Sequence, residues 1–137
     1  MTLLKTLGII SMICLSLISA YGCSSNQASV TGTVTYRERI ALPSDATIQV
    51  QIQDVSLADA PAQVIGDITI PADGKQVPIP YEVKYNLDEI QDNHTYSMLV
   101  RIEDSGEKLL FISDTHTPVI TRGNPAQDVE IVVVPVG

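Results

Sequence analysis

The chain has 137 residues, enough for one domain and too few for two. Eight basic residues stand against sixteen acidic ones, a net charge of −8, and 45 % of the residues are hydrophobic. That content excludes a disordered chain. The acidic balance excludes a phosphate-backbone binder, and five Tyr, one Phe and no Trp make no stacking platform for single strands, so no nucleic-acid partner is expected.

Residues 1–22 read as a leader. Lys5 is the only charge before Arg37, and an apolar run from Leu7 to Ala20 follows it. The run is shorter than the roughly 20 residues a membrane-spanning helix needs. A positive start, a short apolar stretch and small residues near its end describe a secretory signal peptide. Its end, Ala20-Tyr21-Gly22-Cys23, resembles the lipobox of bacterial lipoproteins. That resemblance implies a lipid on the thiol of Cys23 and cleavage just before it. Ser24, rather than Asp, after the cysteine implies the outer membrane. Two or three acyl chains together would hold the membrane firmly. Loss of Lys5 would leave 7 basic and 16 acidic residues, or −9. Cys14 would go with the leader, so no disulfide is expected. Residues 23–28 then form the lipidated cysteine and a short polar tether, and residues 29–137 form the domain. Five extended residues reach at most about 17 Å, which keeps the domain near the bilayer.

From residue 29 on, the dominant period is two. Ile48, Val50 and Ile52 alternate with Gln49, Gln51 and Gln53. Ile79, Tyr81, Val83 and Tyr85 alternate with Pro80, Glu82 and Lys84, and Tyr96, Met98, Val100 and Ile102 alternate with Ser97, Leu99 and Arg101. Such alternation puts one set of side chains on a core and the other toward solvent. Runs 30–36, 64–70, 108–113 and 128–134 also read as strands, and Asn86 to Asn93 holds at most one helical turn. Turns are expected at Pro71-Ala72-Asp73-Gly74, at Asp104-Ser105-Gly106 (a hairpin) and at Arg122-Gly123-Asn124-Pro125. Pro78 and Pro80 remove donors from the same edge of one strand, which places its start at a sheet border or outside the ladder.

The expected fold is therefore all-β: an immunoglobulin-like antiparallel β-sandwich of about seven strands, with an open barrel as the alternative. Asp92-Asn93-His94-Thr95-Tyr96-Ser97-Met98 resembles the tyrosine-corner segment of such folds, in which the ring packs inward and its hydroxyl bonds nearby backbone.

Catalytic chemistry is not evident, and neither an enzyme nor a cofactor is expected. His94 and His116 are too few for a three-ligand zinc site. His94 reads as part of a polar turn capped by Asp88, Glu89 and Asp92. Ser113-Asp114-Thr115-His116 has triad residue types but no nucleophile elbow, and reads as a strand end and polar loop. The candidate binding residues are Arg37, Glu38 and Arg39, a contact for an acidic partner segment, and the uncharged stripe Gln49, Gln51 and Gln53. The stripe could hydrogen-bond a peptide or a glycan, or be the wet face of a sheet.

Gly32-Thr33-Val34-Thr35-Tyr36-Arg37-Glu38-Arg39-Ile40-Ala41-Leu42-Pro43 resembles the opening strand and loop of the YbaY-like lipoproteins, which share a domain family with YscW-type pilotins. Val50 to Ser56, Val77 to Tyr81, Tyr96 to Ile102, and Phe111 to Asp114 leading into Pro118-Val119 fit the same pattern. The resemblance implies a lipid-anchored β-sandwich facing the periplasm. It also implies a non-catalytic chaperone role toward an outer-membrane secretin or another envelope protein. A glycan-binding envelope module is the alternative.

Overall fold

The computed structural model describes residues 26–137. The leader, Cys23 and the first two residues of the tether lie outside the described residues. The domain is an all-β sandwich of nine strands: β1 (Gln27–Thr35), β2 (Thr47–Asp54), β3 (Gln63–Pro71), β4 (Ile79–Asn86), β5 (Tyr96–Glu103), β6 (Leu109–Ile112), β7 (Pro118–Val119), β8 (Val129–Val132) and β9 (Val134–Pro135). A 3-10 turn, Leu87–Glu89, follows β4. The three-stranded sheet runs β4-β1-β8; the larger runs β3-β2-β5-β6-β9, with β7 also paired to β5.

The alternation read in the sequence sets the two inner faces. Ile48, Val50 and Ile52 of β2 and Val100 and Ile102 of β5 are fully buried, and they face Val30 and Val34 of β1 and Ile79 and Val83 of β4. Tyr96 closes one end of this core. Its hydroxyl accepts the Gln91 N–H at 2.9 Å and lies 3.4 Å from the Glu89 carbonyl, the upstream backbone contact expected of a tyrosine corner.

Two features differ from expectation. There are nine strands rather than seven, because β7 is a two-residue addition to β5 and the run 128–134 is broken. At Val133 the chain leaves the small sheet for the large one, its N–H bonded to Thr35 O at 2.8 Å, so one run yields both β8 and β9. The second difference is orientation. β8 pairs with β1 in parallel, while every other pairing is antiparallel. That parallel contact is close. A Cβ on Gly32 would lie 1.8 Å from the Val129 carbonyl oxygen, so only glycine fits there.

Gln27 and Ala28, expected in the tether, are already strand, paired with Asn86 and Tyr85. The proline argument holds: β4 is an edge strand and starts at Ile79, directly after Pro78. The turn at Asp104-Ser105-Gly106 joins β5 to β6, with Asp104 Oδ1 accepting the Gly106 and Lys108 N–H groups.

Candidate functional site

The two long sides of the sandwich are unlike. On one side the β8–β9 crossover closes the gap between the sheets, and Val133 is buried there. On the other side each sheet ends in a strand with a free edge, β3 in the large sheet and β4 in the small. These edges touch at Gly66, where a Cβ would meet the Lys84 carbonyl oxygen at 2.6 Å and the Val83 side chain at 3.2 Å. Gly66 pairs with Ile52 at the point where the β2–β3 register shifts. The missing side chain therefore lets one edge lie on the other.

Beyond that contact the edges part into a groove of about 670 Å³. Ile68 and Ile70 of β3 form one wall, and Pro80, Glu82 and Lys84 of β4 the other, with Thr31 and Tyr81 between them. A smaller cleft of about 370 Å³ continues it across Thr31, Thr33 and Pro80 toward Asp128 and Glu130. Ile68 and Ile70 are half-buried only because β3 is an edge; on an inner strand they would be core. Glu82 and Lys84, with Asp67 opposite, put both charge signs on the rim. The floor is rigid. Burial raises the Tyr81 pKa well above its ordinary value, and the neutral hydroxyl donates to Val129 O at 2.8 Å.

At one pole a second constellation forms. β2 ends there, β3 and β5 begin there, and Asp54 is the residue opposite both Gln63 and Tyr96. Asp54 Oδ2 lies 2.6 Å from His94 Nδ1, and its Oδ1 accepts the Ser56 hydroxyl at 2.6 Å and the Ser56 N–H at 3.0 Å. Ser56 Oγ in turn accepts the Thr95 N–H at 2.9 Å. Thr121 donates to His94 O at 2.6 Å, and Arg122 to Asn93 O at 2.7 Å. Partial burial pulls the Asp54 pKa up, but the hydrogen bonds from Ser56 and His94 outweigh it and hold the carboxyl below its usual range. An ionised carboxylate only accepts, so Nδ1 of His94 carries the proton in this pair. Ser56 bonds the carboxylate and not the imidazole, which is the wrong order for an activated nucleophile. The arrangement ties three loops together.

The partner of His94 thus comes from 40 residues away, not from Asp88, Glu89 or Asp92 in its own turn. Ser113 ends its strand with Oγ accepting the Val100 N–H, and Asp114 and Thr115 continue into an exposed loop. Among the described residues, no group of three His, Cys, Asp or Glu side chains could hold a metal ion.

The residues singled out from the sequence fall on two separate surfaces, and neither surface is the groove. Arg37, Glu38 and Arg39 are exposed in the loop after β1. Tyr36, stacked on Phe111 at 4.3 Å between centroids, donates its hydroxyl to Ile40 O at 2.7 Å and so pins that loop. Arg37 and Glu38 border a cleft of about 370 Å³ with Asp114 and Val132–Val134, on the closed side of the sandwich. Gln49, Gln51 and Gln53 lie half-buried on the outer face of the large sheet, opposite Arg101, Leu99 and Ser97 of β5. The Gln53 amide donates to Gln51 Oε1 at 3.1 Å, so part of the stripe is satisfied within itself. Sequence reading missed the groove because it joins alternate residues of two strands in different sheets. The available signals were Gly66 inside a strand pattern and the Pro78/Pro80 edge.

The fold is thus a β-sandwich with one side closed by a strand crossover and the other grooved between free edges. The sequence pattern of the family described as "Type III secretion system lipoprotein chaperone (YscW)" matches residues 25–131. The chain belongs to this YscW family. It is 38 % identical over 108 residues to the lipoprotein YbaY of Escherichia coli K12, a match covering 79 % of this chain and 56 % of YbaY. The chain therefore spans little more than half the length of that relative. Among solved structures, an alternative pilotin from the type II secretion system of Vibrio cholerae superposes with a TM-score of 0.73 at 44 % identity, covering 80 % of this chain and 99 % of that one.

Proposed function

We propose that the protein is a pilotin-like, non-catalytic chaperone, anchored to the outer membrane by lipid on Cys23 and facing the periplasm. Its partner is an envelope protein, with an outer-membrane secretin as the first candidate. The groove between β3 and β4 takes an apolar segment of that partner. Ile68 and Ile70 supply the buried contact, and the free strand edges offer backbone donors and acceptors to an extended segment. The rim charges Glu82 and Lys84 set its orientation, since rim charges steer encounter more than they add affinity.

The observation that supports this reading is the position of the groove, on the one open side of a sandwich whose family is that of secretion lipoprotein chaperones. Arg37, Glu38 and Arg39, on the opposite side, and the Gln49, Gln51 and Gln53 stripe become secondary contacts at most.

The test is capture from detergent-solubilised membranes with the lipid intact. Wild-type protein should recover a defined envelope protein, and an Ile68→Asn/Lys84→Glu variant should lose it while Arg37→Ala/Arg39→Ala keeps it. Equal recovery by both variants would move the site away from the groove. Recovery of background alone by the wild type would remove the chaperone reading.

A further inference from the structure

The lipid anchor of the proposed function would attach the chain at one pole of the sandwich, and that pole has a composition of its own. β1 begins there, with Gln27 opposite Asn86 at the end of β4. The edge contact at Gly66 and Lys84 aligns this end of the small sheet with the Asp54–Gln63–Tyr96 end of the large one. The loops 55–62 and 87–95 therefore share the pole with the point where the tether enters.

Each loop presents an exposed leucine. Leu57 is 72 % exposed, the most exposed large hydrophobic side chain among the described residues, and Leu87 is 48 % exposed. Val64, at the start of β3, is also exposed. The backbone beside both leucines is bonded in place. The Leu87 N–H donates to Asn26 O at 2.7 Å, and Asn26 Nδ2 donates to Asp88 Oδ1 at 3.0 Å, so the 3-10 turn is bonded to the incoming chain itself. Leu57 follows Ser56, which is bonded to Asp54 and Thr95. The Asp54–His94 pair joins the two loops into one platform.

Length fixes what this platform faces. Asn26 is three residues beyond Cys23, and three extended residues span roughly 11 Å at most. A lipid on Cys23 brings the leucine-bearing pole to the membrane surface and allows no other pole to reach it. We propose that this pole is a bilayer-contacting surface, in which Leu57 and Leu87 enter the headgroup and upper acyl region and fix the orientation of the domain. This rests on the lipid-anchor part of the proposed function and not on its partner.

The charge distribution decides the type of contact. Asp59, Asp88, Glu89 and Asp92 lie in these loops, against Arg122 bonded to Asn93. An acidic rim gains nothing from anionic lipid, so the contact is apolar insertion, made effective because the anchor has already brought the surface close. The orientation turns the opposite pole, with Arg37 and Arg39, toward the periplasm. The groove then runs between the two poles, open to a partner arriving along the membrane.

The chain contains no tryptophan, so single reporters can be placed. Leu57→Trp, Leu87→Trp and, as the far-pole control, Ile40→Trp would be purified from membranes. Mass spectrometry would verify the acylated cysteine, and each variant would be reconstituted into phosphatidylcholine vesicles with brominated acyl chains. Quenching at positions 57 and 87 should exceed that at 40 several-fold, with blue-shifted emission only at the first two. Equal quenching at all three positions overturns the proposal, as does a mature chain without lipid on Cys23. Failure to capture a secretin would leave these readings unchanged, so the two ideas fail separately.

Discussion

Asp54 and His94 are 40 residues apart in sequence, yet their side chains meet at 2.6 Å and join the end of β2 to the loop that precedes β5. Because the carboxyl also accepts both Ser56 donors, its folded pKa lies below the unfolded value. The sign follows from linkage. A depressed carboxylate pKa contributes stability that is complete above the unfolded value, about 3.9, and is lost as pH falls through the folded value. Wild-type stability should therefore decline below about pH 4 more steeply than that of Asp54→Asn, which cannot titrate. At neutral pH, Asp54→Asn should cost about 1.5–3 kcal/mol, the range for hydrogen bonds to a charged group. Urea unfolding at pH 7 and pH 3.5 checks both statements. Parallel pH profiles for the two proteins would show that the pair contributes nothing.

Gly32 and Tyr81 fix the parallel β1–β8 contact from two directions. Gly32→Ala would drive a methyl group into the Val129 carbonyl, which is backbone and cannot rotate away. The expected loss is about 3 kcal/mol or more, at or above the upper end of overpacking costs. Tyr81→Phe keeps the packing but leaves the buried Val129 oxygen without its 2.8 Å donor, at a cost of about 1–3 kcal/mol. Thermal unfolding should rank the proteins wild type, Tyr81→Phe, Gly32→Ala. The reverse order would mean that the sheet can slide without penalty.

Tyr96 tests the corner in the same way. Tyr96→Phe removes the acceptor of the Gln91 N–H and the contact with Glu89 O. About 1–3 kcal/mol should be lost, with hydrogen exchange accelerated at Gln91 rather than at the strands.

What could be read in the sequence follows from what local pattern encodes. Ile48, Val50 and Ile52 alternate with glutamines because one face of β2 meets the core, and that face is visible without knowing the partner strands. Tyr96 could be placed because the corner lies within a seven-residue segment. Pro78 and Pro80 marked an edge because a missing donor is a property of the residue itself. Pairing between distant segments leaves no such trace. Nothing in Val129 to Val132 states that it will lie parallel to β1, and nothing in His94 names Asp54 rather than the nearer Asp92. The two-residue strands β7 and β9 are too short to show a period. The groove was hidden for the same reason: Ile68 and Ile70 lie in a run that shows only as a strand, and it is the free edge of β3 that makes them a wall. Arg37 and Arg39 drew notice as clustered charge, but clustered charge marks solvation as readily as contact.

Gly66 connects fold stability with the proposed function. Its missing side chain lets β3 rest on the Lys84 carbonyl, and this contact sets the separation of the two groove walls. Gly66→Ala adds a Cβ 2.6 Å from that oxygen, so the two free edges must move apart. Backbone displacement of this kind costs about 1–3 kcal/mol. The displacement centres on this edge: the added Cβ also meets the Val83 and Ile52 side chains at 3.2 and 3.4 Å, while the pairs Val50–Val100 and Ile48–Ile102 lie on the far side of β2. A folded Gly66→Ala protein should therefore keep its strand content, show amide shifts concentrated in residues 64–70 and 80–85, and recover less partner from solubilised membranes. A companion Gly106→Ala variant, in the β5–β6 turn with its nearest added contact at 3.4 Å, should bind as the wild type does. If Gly66→Ala alters those amides yet captures the partner in full, the groove walls are not what the partner reads, and the binding face lies elsewhere on the sandwich.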